Sequence, residues 1–213
     1  MRIKVDFDYS KVVGWAQGFG NNVTDMAKAS ALNKAVEQAR TQMIREITRE
    51  YAVTSTYVRN RLQVRRASAS AKRFVMEATL SAIGPGGKRA ANLIRFAETT
   101  VTMAAARKRM AGGEGGKQIL RGGGQVTKAL EIRFKIKRSG PKKVIKGAFI
   151  GNKGRTVFIR EGSKRLPIRA LQTIDIPQMF NAKRINAAVV TMVKAKLPDL
   201  LERELKYYLA RYS

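Results

Sequence analysis

The sequence contains no cysteine and no histidine among its 213 residues. The absence of cysteine excludes disulfides, thiolate nucleophiles and cysteine-based metal sites. The absence of histidine removes the commonest general acid or base and the commonest metal ligand. No apolar run approaches the roughly 18 residues of a transmembrane helix, and residues 1–10 alternate in polarity, unlike a signal peptide. We therefore expect no enzymatic activity, metal site or membrane partner, and synthesis in the cytoplasm.

Acidic residues are scarce as well. The chain has 15 Asp and Glu against 43 Lys and Arg, which gives a net charge of +28. A surface this positive repels itself and attracts polyanions. We expect partners among nucleic acids, acidic protein faces, or neighbouring subunits whose acidic patches neutralise part of the charge. Hydrophobic residues make up 44% of the chain, which is enough for a sizeable core.

Two long amphipathic helices are predicted, over residues 22–51 and 181–212, because apolar side chains recur there at three- and four-residue spacing. Pro198 predicts a kink or a restart in the second helix. Glu202 and Glu204, beside Lys and Arg in the same helix, are predicted to form surface ion pairs.

The remaining segments are shorter. Alternating polarity predicts an edge strand over residues 1–8, and apolar anchors predict a helical turn over 10–19. Thr54 or Ser55 would cap a short helix, and residues 88–111 would form another. Further strands are predicted over residues 62–67, 72–80, 128–137, 144–150, 156–160 and 166–171. Ser68–Ser70 is predicted to be a turn, and Pro167 predicts an edge position for the last strand.

The predicted fold class is α+β: a largely antiparallel sheet packed by the long N-terminal and C-terminal helices, in a single domain over residues 1–213. Residues 84–125 would form an elaborated, partly mobile excursion, because glycine makes a loop costly to order. Its glycine clusters, which we interpret as an assembly loop, are Gly112, Gly113, Gly115, Gly116, Gly122, Gly123 and Gly124.

Two groups of cations are candidates for contact with a polyanion or an acidic partner. The first group is Arg59, Arg61, Arg65, Arg66, Lys72 and Arg73. The second group is Arg133, Lys135, Lys137, Arg138, Lys142, Lys143, Lys146, Lys153 and Arg155. Alternation from residue 133 to 137 would place cations on one strand face, as phosphate binding requires. The alternative is a solvated face or salt links to acidic subunits. Phe134 falls on the opposite face and is predicted to be core, which argues against a base-stacking platform.

The stretch from Lys146 to Phe180 carries four short motifs. They are Gly147-Ala148-Phe149-Ile150, Val157-Phe158-Ile159-Arg160, Arg165-Leu166-Pro167-Ile168-Arg169 and Ile176-Pro177-Gln178-Met179-Phe180. In these motifs, their order and their spacing, the chain resembles the minor tail protein Z family of tailed bacteriophages. The resemblance is weakest over residues 84–125. The apolar motif residues expected in the core are Phe149, Ile150, Phe158, Leu166, Ile168, Met179 and Phe180.

This resemblance implies a structural virion protein with no chemistry and no cofactor. Such a protein completes the head-proximal end of the tail, between the tail terminator ring and the head–neck proteins, as one subunit of a hexameric homo-oligomer. Its cations would meet genomic DNA in the channel or acidic neighbouring rings. The loop over residues 84–125 and the hairpin over 151–155 would make contacts between rings.

A strongly basic nucleic-acid-binding protein is the competing hypothesis. It would bind duplex in solution with a steep salt dependence, whereas a joining protein would bind heads or tails and form a ring. Binding to acidic membranes is less favoured, because the polar faces of both long helices carry charges of both signs.

Overall fold

The structure is a computed structural model that describes residues 21–70, 73–83, 90–97, 133–145, 148–152, 155–162 and 166–212. The chain divides into two compact units. Unit 1 comprises residues 1–48, 54–87 and 176–213, and unit 2 comprises residues 49–53 and 88–175. The strand predicted over 1–8, the turn predicted over 10–19 and all seven glycines of the predicted assembly loop lie outside the described residues. The single domain, with its excursion over residues 84–125, stays a prediction.

Both predicted long helices are confirmed. Helix α1 is Asn21–Glu50. The C-terminal helix, Lys183–Tyr212, is numbered α4, because two short helices, α2 and α3, precede it in the chain. Each helix buries an apolar stripe, seen for example in Met43 and Ile47 of α1 and in Leu201 of α4. The helix α4 continues through Pro198, so the predicted restart does not occur.

The rest of unit 1 consists of short elements. Helix α2 is Ser55–Arg59, and its cap is Thr54, whose hydroxyl oxygen accepts a hydrogen bond from the Tyr57 amide at 3.3 Å. Two antiparallel strand pairs follow. Strand β1, Leu62–Arg65, pairs with β4, Thr79–Ala82, and strand β2, Ser68–Ser70, pairs with β3, Arg73–Val75. Helix α3, Ile176–Phe180, contacts β4 and α4.

Two sequence predictions are wrong in this region. Ser68–Ser70 is a strand and not a turn, because its backbone pairs with Arg73–Val75. The strand predicted over residues 72–80 is interrupted at residues 76–78, since β3 and β4 pair with different partners. Local polarity does not reveal such a change of partner, whereas the ladder hydrogen bonds do.

Asn33 connects α1 to the link between β1 and β2. Its side-chain oxygen accepts from the Ala67 amide at 2.8 Å, and its side-chain nitrogen donates to the Ala67 carbonyl at 3.0 Å. Ala67 is buried, so both backbone groups would lack a partner without this amide. One side chain therefore fixes the link between β1 and β2 against the helix.

Glu204 corrects the prediction of a surface ion pair. Its carboxylate is buried in α4, and it accepts from the Ser30 hydroxyl at 2.8 Å and from the Lys34 ammonium at 2.6 Å. Burial acts to raise the pKa of Glu204, but the hydrogen bonds from Lys34 and Ser30, with the charges of Lys34 and Arg203, outweigh it and lower the pKa. Glu202, by contrast, forms the predicted exposed pair, at 2.6 Å from Lys206.

This lowered pKa makes the stability of unit 1 depend on pH. Because the folded pKa lies below the unfolded value of about 4.3, the ionised Glu204 stabilises the fold above that pH, and the contribution is lost as pH falls through the folded pKa. We expect Glu204→Gln to cost about 1–2 kcal/mol at pH 7 and less near pH 3. Urea unfolding at both pH values measures this. The exposed control Glu202→Gln should change little, and an equal cost of Glu204→Gln at both pH values would contradict the prediction.

Unit 2 contains the remaining strands. Strand β5, Ala90–Asn92, leads into a 3₁₀ turn at Leu93–Phe96. Strand β6, Arg133–Phe134, pairs with β7, Lys143–Val144. Strands β8, Phe149–Gly151, β9, Thr156–Arg160, and β10, Ile168–Ala170, form an antiparallel sheet in the order β10-β9-β8. Strand β11, Gln172–Ile174, pairs with β5.

The predicted hairpin between β8 and β9 and the predicted edge position of β10 are both confirmed. The helix predicted over residues 88–111 is wrong for residues 90–97, since these form a strand and a 3₁₀ turn. Pairing with β11 holds the first part extended, and the Asn92 side chain caps the turn by accepting from the Ile94 amide at 3.0 Å.

Strands β10 and β11 act as one extended strand with two partners. The Leu171 amide donates to Val157 of β9 at 2.9 Å, and the Leu171 carbonyl accepts from Leu93, just after β5, at 3.0 Å. The amide and the carbonyl of Leu171 therefore point to the same side of the strand, the amide towards β9 and the carbonyl towards the residue that follows β5. Strands β9 and β5 therefore lie end to end along the same side of residues 168–174.

Asn92 fills the junction between those two partner strands. Because the Leu171 carbonyl is taken by Leu93, the Val157 amide needs another acceptor. It donates to the Asn92 side-chain oxygen at 2.9 Å, and the Asn92 side-chain nitrogen donates to the Val157 carbonyl at 3.4 Å.

The two long helices and the antiparallel strand pairs together confirm the predicted α+β class. The antiparallel strands are divided into several small sheets among the described residues.

Candidate functional site

The first cationic group lies in unit 1, around α2 and β1. Arg66 is bound to Glu37 of α1, with a nitrogen–oxygen distance of 3.0 Å, and the Arg61 guanidinium lies 4.6 Å from the centre of the Tyr57 ring. Arg59 and Arg65 are exposed. The side chains of Lys72 and Arg73 lie outside the described residues. Arg61 and Arg66 of the first cationic group therefore already interact with other residues of unit 1.

The second group lies in unit 2, and most of it falls on one segment, residues 133–144, which we call the basic hairpin. Strands β6 and β7 pair with Arg133 opposite Val144 and Phe134 opposite Lys143. Phe134 is only 2% exposed, whereas Arg133 and Lys143 are exposed. The prediction that Phe134 belongs to the core is confirmed, and the alternation directs the cations outward.

Residues 49–53 anchor the basic hairpin. The Arg138 amide donates to the Glu50 carbonyl at 2.9 Å, and the Arg138 guanidinium donates to the Tyr51 carbonyl at 3.3 Å. Lys137 forms an ion pair with Glu50 at 3.5 Å. Burial raises the pKa of Tyr51, the Glu50 charge raises it further, and Lys137 partly opposes both. The Tyr51 phenol is therefore neutral and adds no negative charge beside the cations.

Several cations of the second group have no acidic partner among the described residues. No carboxylate of the described segments lies within ion-pair distance of Arg133, Lys135 or Lys143, nor of the exposed Arg155. Lys137 has its partner in Glu50, and Lys142 is exposed. Lys146 and Lys153 lie outside the described residues. Residues 132–160 contain ten Lys and Arg and no Asp or Glu, so an acidic partner cannot come from this segment.

The charge is divided unevenly between the units. Unit 2 has 23 Lys and Arg against 6 Asp and Glu, a net charge of +17 over 93 residues. Unit 1 has 20 against 9, a net charge of +11 over 120 residues. Unit 2 therefore carries the higher density of positive charge, and six of its cations lie in the basic hairpin.

Further features of the described segments are their acidic side chains, a surface groove and the hydropathy of their helices. They contain no group of three or more Asp or Glu side chains placed to hold a metal ion. An open groove of about 350 Å³ lies between α1 and α4, with Glu37, Gln42, Arg45, Met192 and Lys196 among its lining residues. Its charges have both signs, and Glu37 is already paired with Arg66. No helix in the described part is both long and apolar enough to cross a membrane.

The motif residues predicted to be core divide into two sets. Ile150, Met179 and Phe180 are buried, and Phe149 and Phe158 are half-buried and stack with ring centres 5.9 Å apart. The prediction is wrong for Leu166, which is 64% exposed, and for Ile168, which is 39% exposed. Both belong to the edge segment at β10, where one side of the strand has no described neighbour.

The sequence analysis did not predict the structural roles of Asn33 and Asn92, nor the full length of the strand edge over residues 168–174. Asn33 and Asn92 pair with backbone far away in the chain, and no spacing rule relates them to Ala67 or Val157. The length of the edge was also missed, because β10 and β11 were not expected to form one strand. Pro167, which suits an edge, was the only local signal for it.

Comparison with known proteins identifies a family for this chain. The sequence profile of the family described as prophage minor tail protein Z (GPZ) matches residues 17–213. No curated protein and no solved structure shows significant similarity to the chain. The match covers nearly the whole sequence, both units included. The chain therefore belongs to the prophage minor tail protein Z family, and its role is that of a structural protein of a phage tail.

Proposed function

We propose that this tail protein completes the head-proximal end of the tail and joins the tail to the head and neck. It acts by assembly, as one subunit of a hexameric ring between the tail terminator and the head–neck proteins. Membership of the family over residues 17–213 supports the tail role. The observation that favours the head-proximal position is the charge of unit 2, since DNA and acidic neighbouring proteins are the partners that its excess of cations suits.

Ring formation has an electrostatic cost in this protein. Each copy carries a net charge of +28, so neighbouring copies repel one another unless counterions or acidic partners neutralise part of it. We therefore expect the ring to form most readily on the end of an assembled tail, or at raised salt, where charge repulsion is screened.

The proposal is tested by removing the chain from the particle. Cells that produce the phage without this protein should yield heads and tails that remain separate under the electron microscope, and adding the purified protein should join them. Native mass spectrometry of the protein on tails should give six copies. Normal joining without the protein, or a position away from the head-proximal end, contradicts the proposal.

The glycine-rich segment provides a narrower test. We propose that residues 84–125 and the 151–155 hairpin make contacts between rings, and that the glycine clusters allow the segment to order on assembly. Deleting residues 112–124 should then reduce the yield of joined particles at unchanged stability of the isolated protein. Joining in the usual yield would exclude the long loop as a contact.

Nucleic-acid binding is the second candidate function, and the basic hairpin is the observation that favours it. Replacing Arg133, Lys135 and Lys143 together with glutamine should make the salt dependence of binding to a short DNA duplex shallower. The slope of log K against log salt should fall by about 0.9 for each phosphate that the variant no longer neutralises. The matched control replaces Arg59, Arg65 and Arg66, which removes the same charge from unit 1.

Fluorescence anisotropy over a range of salt concentrations gives both slopes. A change confined to the hairpin variant identifies the hairpin as the DNA-facing surface. Equal slopes for the two variants would show that only total charge matters, and the assignment to unit 2 would then be wrong.

A further inference from the structure

Along residues 168–174, one edge of unit 2 presents alternate backbone groups that have no hydrogen-bond partner among the described residues. Antiparallel pairing directs the backbone groups of alternate residues to opposite sides of a strand. Leu171 bonds to Val157 and Leu93, and the Pro167 carbonyl accepts from Glu161 at 3.2 Å. Odd-numbered residues from 167 to 173 therefore face β9 and β5. The even-numbered ones, Ile168, Ala170, Gln172 and Ile174, face away, and no described residue bonds to their backbone groups.

This edge is long and weakly protected. Seven residues span about 23 Å at 3.3 Å each, and proteins usually protect such an edge with short strands, lysine, proline or a covering loop. Here Pro167 precedes the strand and Arg169 is its one charge. Leu166 is 64% exposed and Ile168 39% exposed, so apolar side chains accompany the unpaired backbone. These are the features of a strand that accepts a further strand.

The charges beside the edge indicate what that further strand carries. Arg160 lies on β9, the paired side of β10, and its guanidinium lies 5.2 Å from the centre of the Phe149 ring, so it does not face the edge. Arg169 is exposed and is paired with Glu161 at 3.2 Å. The whole unit has a net charge of +17. An incoming strand with carboxylates would be attracted, whereas a second copy of this chain would bring the same positive charge against it.

We propose that the edge formed by residues 168–174 is a docking site for an extended segment of a different, acidic polypeptide, added as an antiparallel or parallel strand. Backbone hydrogen bonds to Ile168, Ala170, Gln172 and Ile174 hold the segment. Apolar side chains of the segment pack against Leu166 and Ile168, and its carboxylates are attracted by the net positive charge of unit 2. This inference rests on the proposed function, in which neighbouring virion proteins surround the subunit.

Photo-crosslinking in assembled particles tests the identity of the occupant. The photoreactive residue p-benzoylphenylalanine replaces Gln172, which is exposed at the edge, and in a control replaces the exposed Lys206 of α4. The expected product joins position 172, but not position 206, to a segment of another virion protein with a surplus of Asp and Glu. A crosslink from position 172 to a second copy of this chain, or no crosslink in joined particles, overturns the proposal.

A pair of substitutions tests the backbone contact itself. Gln172→Pro removes an amide that faces outward, and the inward hydrogen bonds of Leu171 and Thr173 remain, whereas Gln172→Ala keeps the amide. Losing one hydrogen bond of about 1.4 kcal/mol lowers binding about tenfold. We expect joining by the proline variant to fall about tenfold below that of the alanine variant at equal melting temperature. Equal yields from two folded variants overturn the proposal, and if the proline variant does not fold, the crosslink decides.

Failure of this inference is distinct from failure of the proposed function. If particles join normally without the protein, the function is wrong, whatever position 172 contacts. If the wild-type protein is required for joining but position 172 forms no crosslink to an acidic segment of another virion protein, the proposed function stands and the proposed docking site is wrong.

Discussion

Replacing Phe180 with alanine should lower the free energy of unfolding of unit 1 by about 3–5 kcal/mol. Phe180 ends helix α3 and its side chain is fully buried, as is that of Ile176 in the same helix. Truncation removes most of an aromatic ring from a core that cannot fully collapse around the space, so the loss of burial and the new cavity add. Among single substitutions in unit 1, few should cost more.

Urea unfolding, followed by circular dichroism, measures this loss. Phe180→Leu retains most of the apolar volume and should cost clearly less than the alanine variant. Lys194→Ala, an exposed change in helix α4, should stay within about 0.5 kcal/mol of the wild type. If Phe180→Ala behaved like Lys194→Ala, Phe180 would not be a core residue.

Asn92→Ala should lower the free energy of unfolding of unit 2 by about 2–4 kcal/mol. The Asn92 side-chain oxygen accepts from two backbone amides, Val157 at 2.9 Å and Ile94 at 3.0 Å. Val157 is fully buried, so water cannot easily replace the missing acceptor. The substitution leaves buried donors without partners, which is more costly than removing a hydrogen bond at the surface.

Asn92→Asp is the comparison variant, because it keeps an oxygen that accepts from both amides. It replaces the amide nitrogen, 3.4 Å from the Val157 carbonyl, with a second carboxylate oxygen, so that bond is lost and the two oxygens repel each other. Because both amide donors keep their acceptor, it should cost less than the alanine variant in the same urea titration. Equal costs for the two variants would mean that the accepting oxygen is unimportant.

The same two alanine variants also test the predicted single domain. If the chain unfolds as one cooperative domain, both should shift one common transition. If the two compact units unfold separately, Phe180→Ala should shift one transition and Asn92→Ala the other.

The long helices were predictable because their information is local. Spacing identified buried positions of α1, including Met43 and Ile47, and the predicted end of the helix at residue 51 lies one residue from the observed end at Glu50. The hairpin of β8 and β9 was predictable for a similar reason, since alternation flanks a glycine-containing turn. In each case the residues that decide the structure lie within a few positions of one another.

The errors come from contacts between distant residues. Residues 90–97 have a composition that suits a helix, yet pairing with β11 and the capping by Asn92 make them a strand and a turn. Glu204 has the sequence surroundings of a surface residue, and only the approach of Ser30 and Lys34 reveals its burial. Leu166 and Ile168 are apolar, but polarity does not show whether a second strand covers them.

The candidate site was partly predictable. Alternation correctly directed Arg133 and Lys137 outward and Phe134 inward. The sequence could not distinguish the two cationic groups, because the pairing of Arg66 with Glu37 depends on folding.

The order of the segments has a consequence for synthesis on the ribosome. Unit 1 combines residues 1–48 and 54–87 with residues 176–213, and all of residues 88–175 belong to the other unit. The apolar stripe of α1 therefore leaves the exit tunnel long before α4, so the nascent chain lacks Val193 and Leu197, which line a small cavity with Val36 and Ala39 of α1, while the intervening residues are translated. A premature stop codon anywhere before residue 176 would leave the side of that stripe towards α4 permanently uncovered and would make the truncated product a substrate for chaperones and proteases.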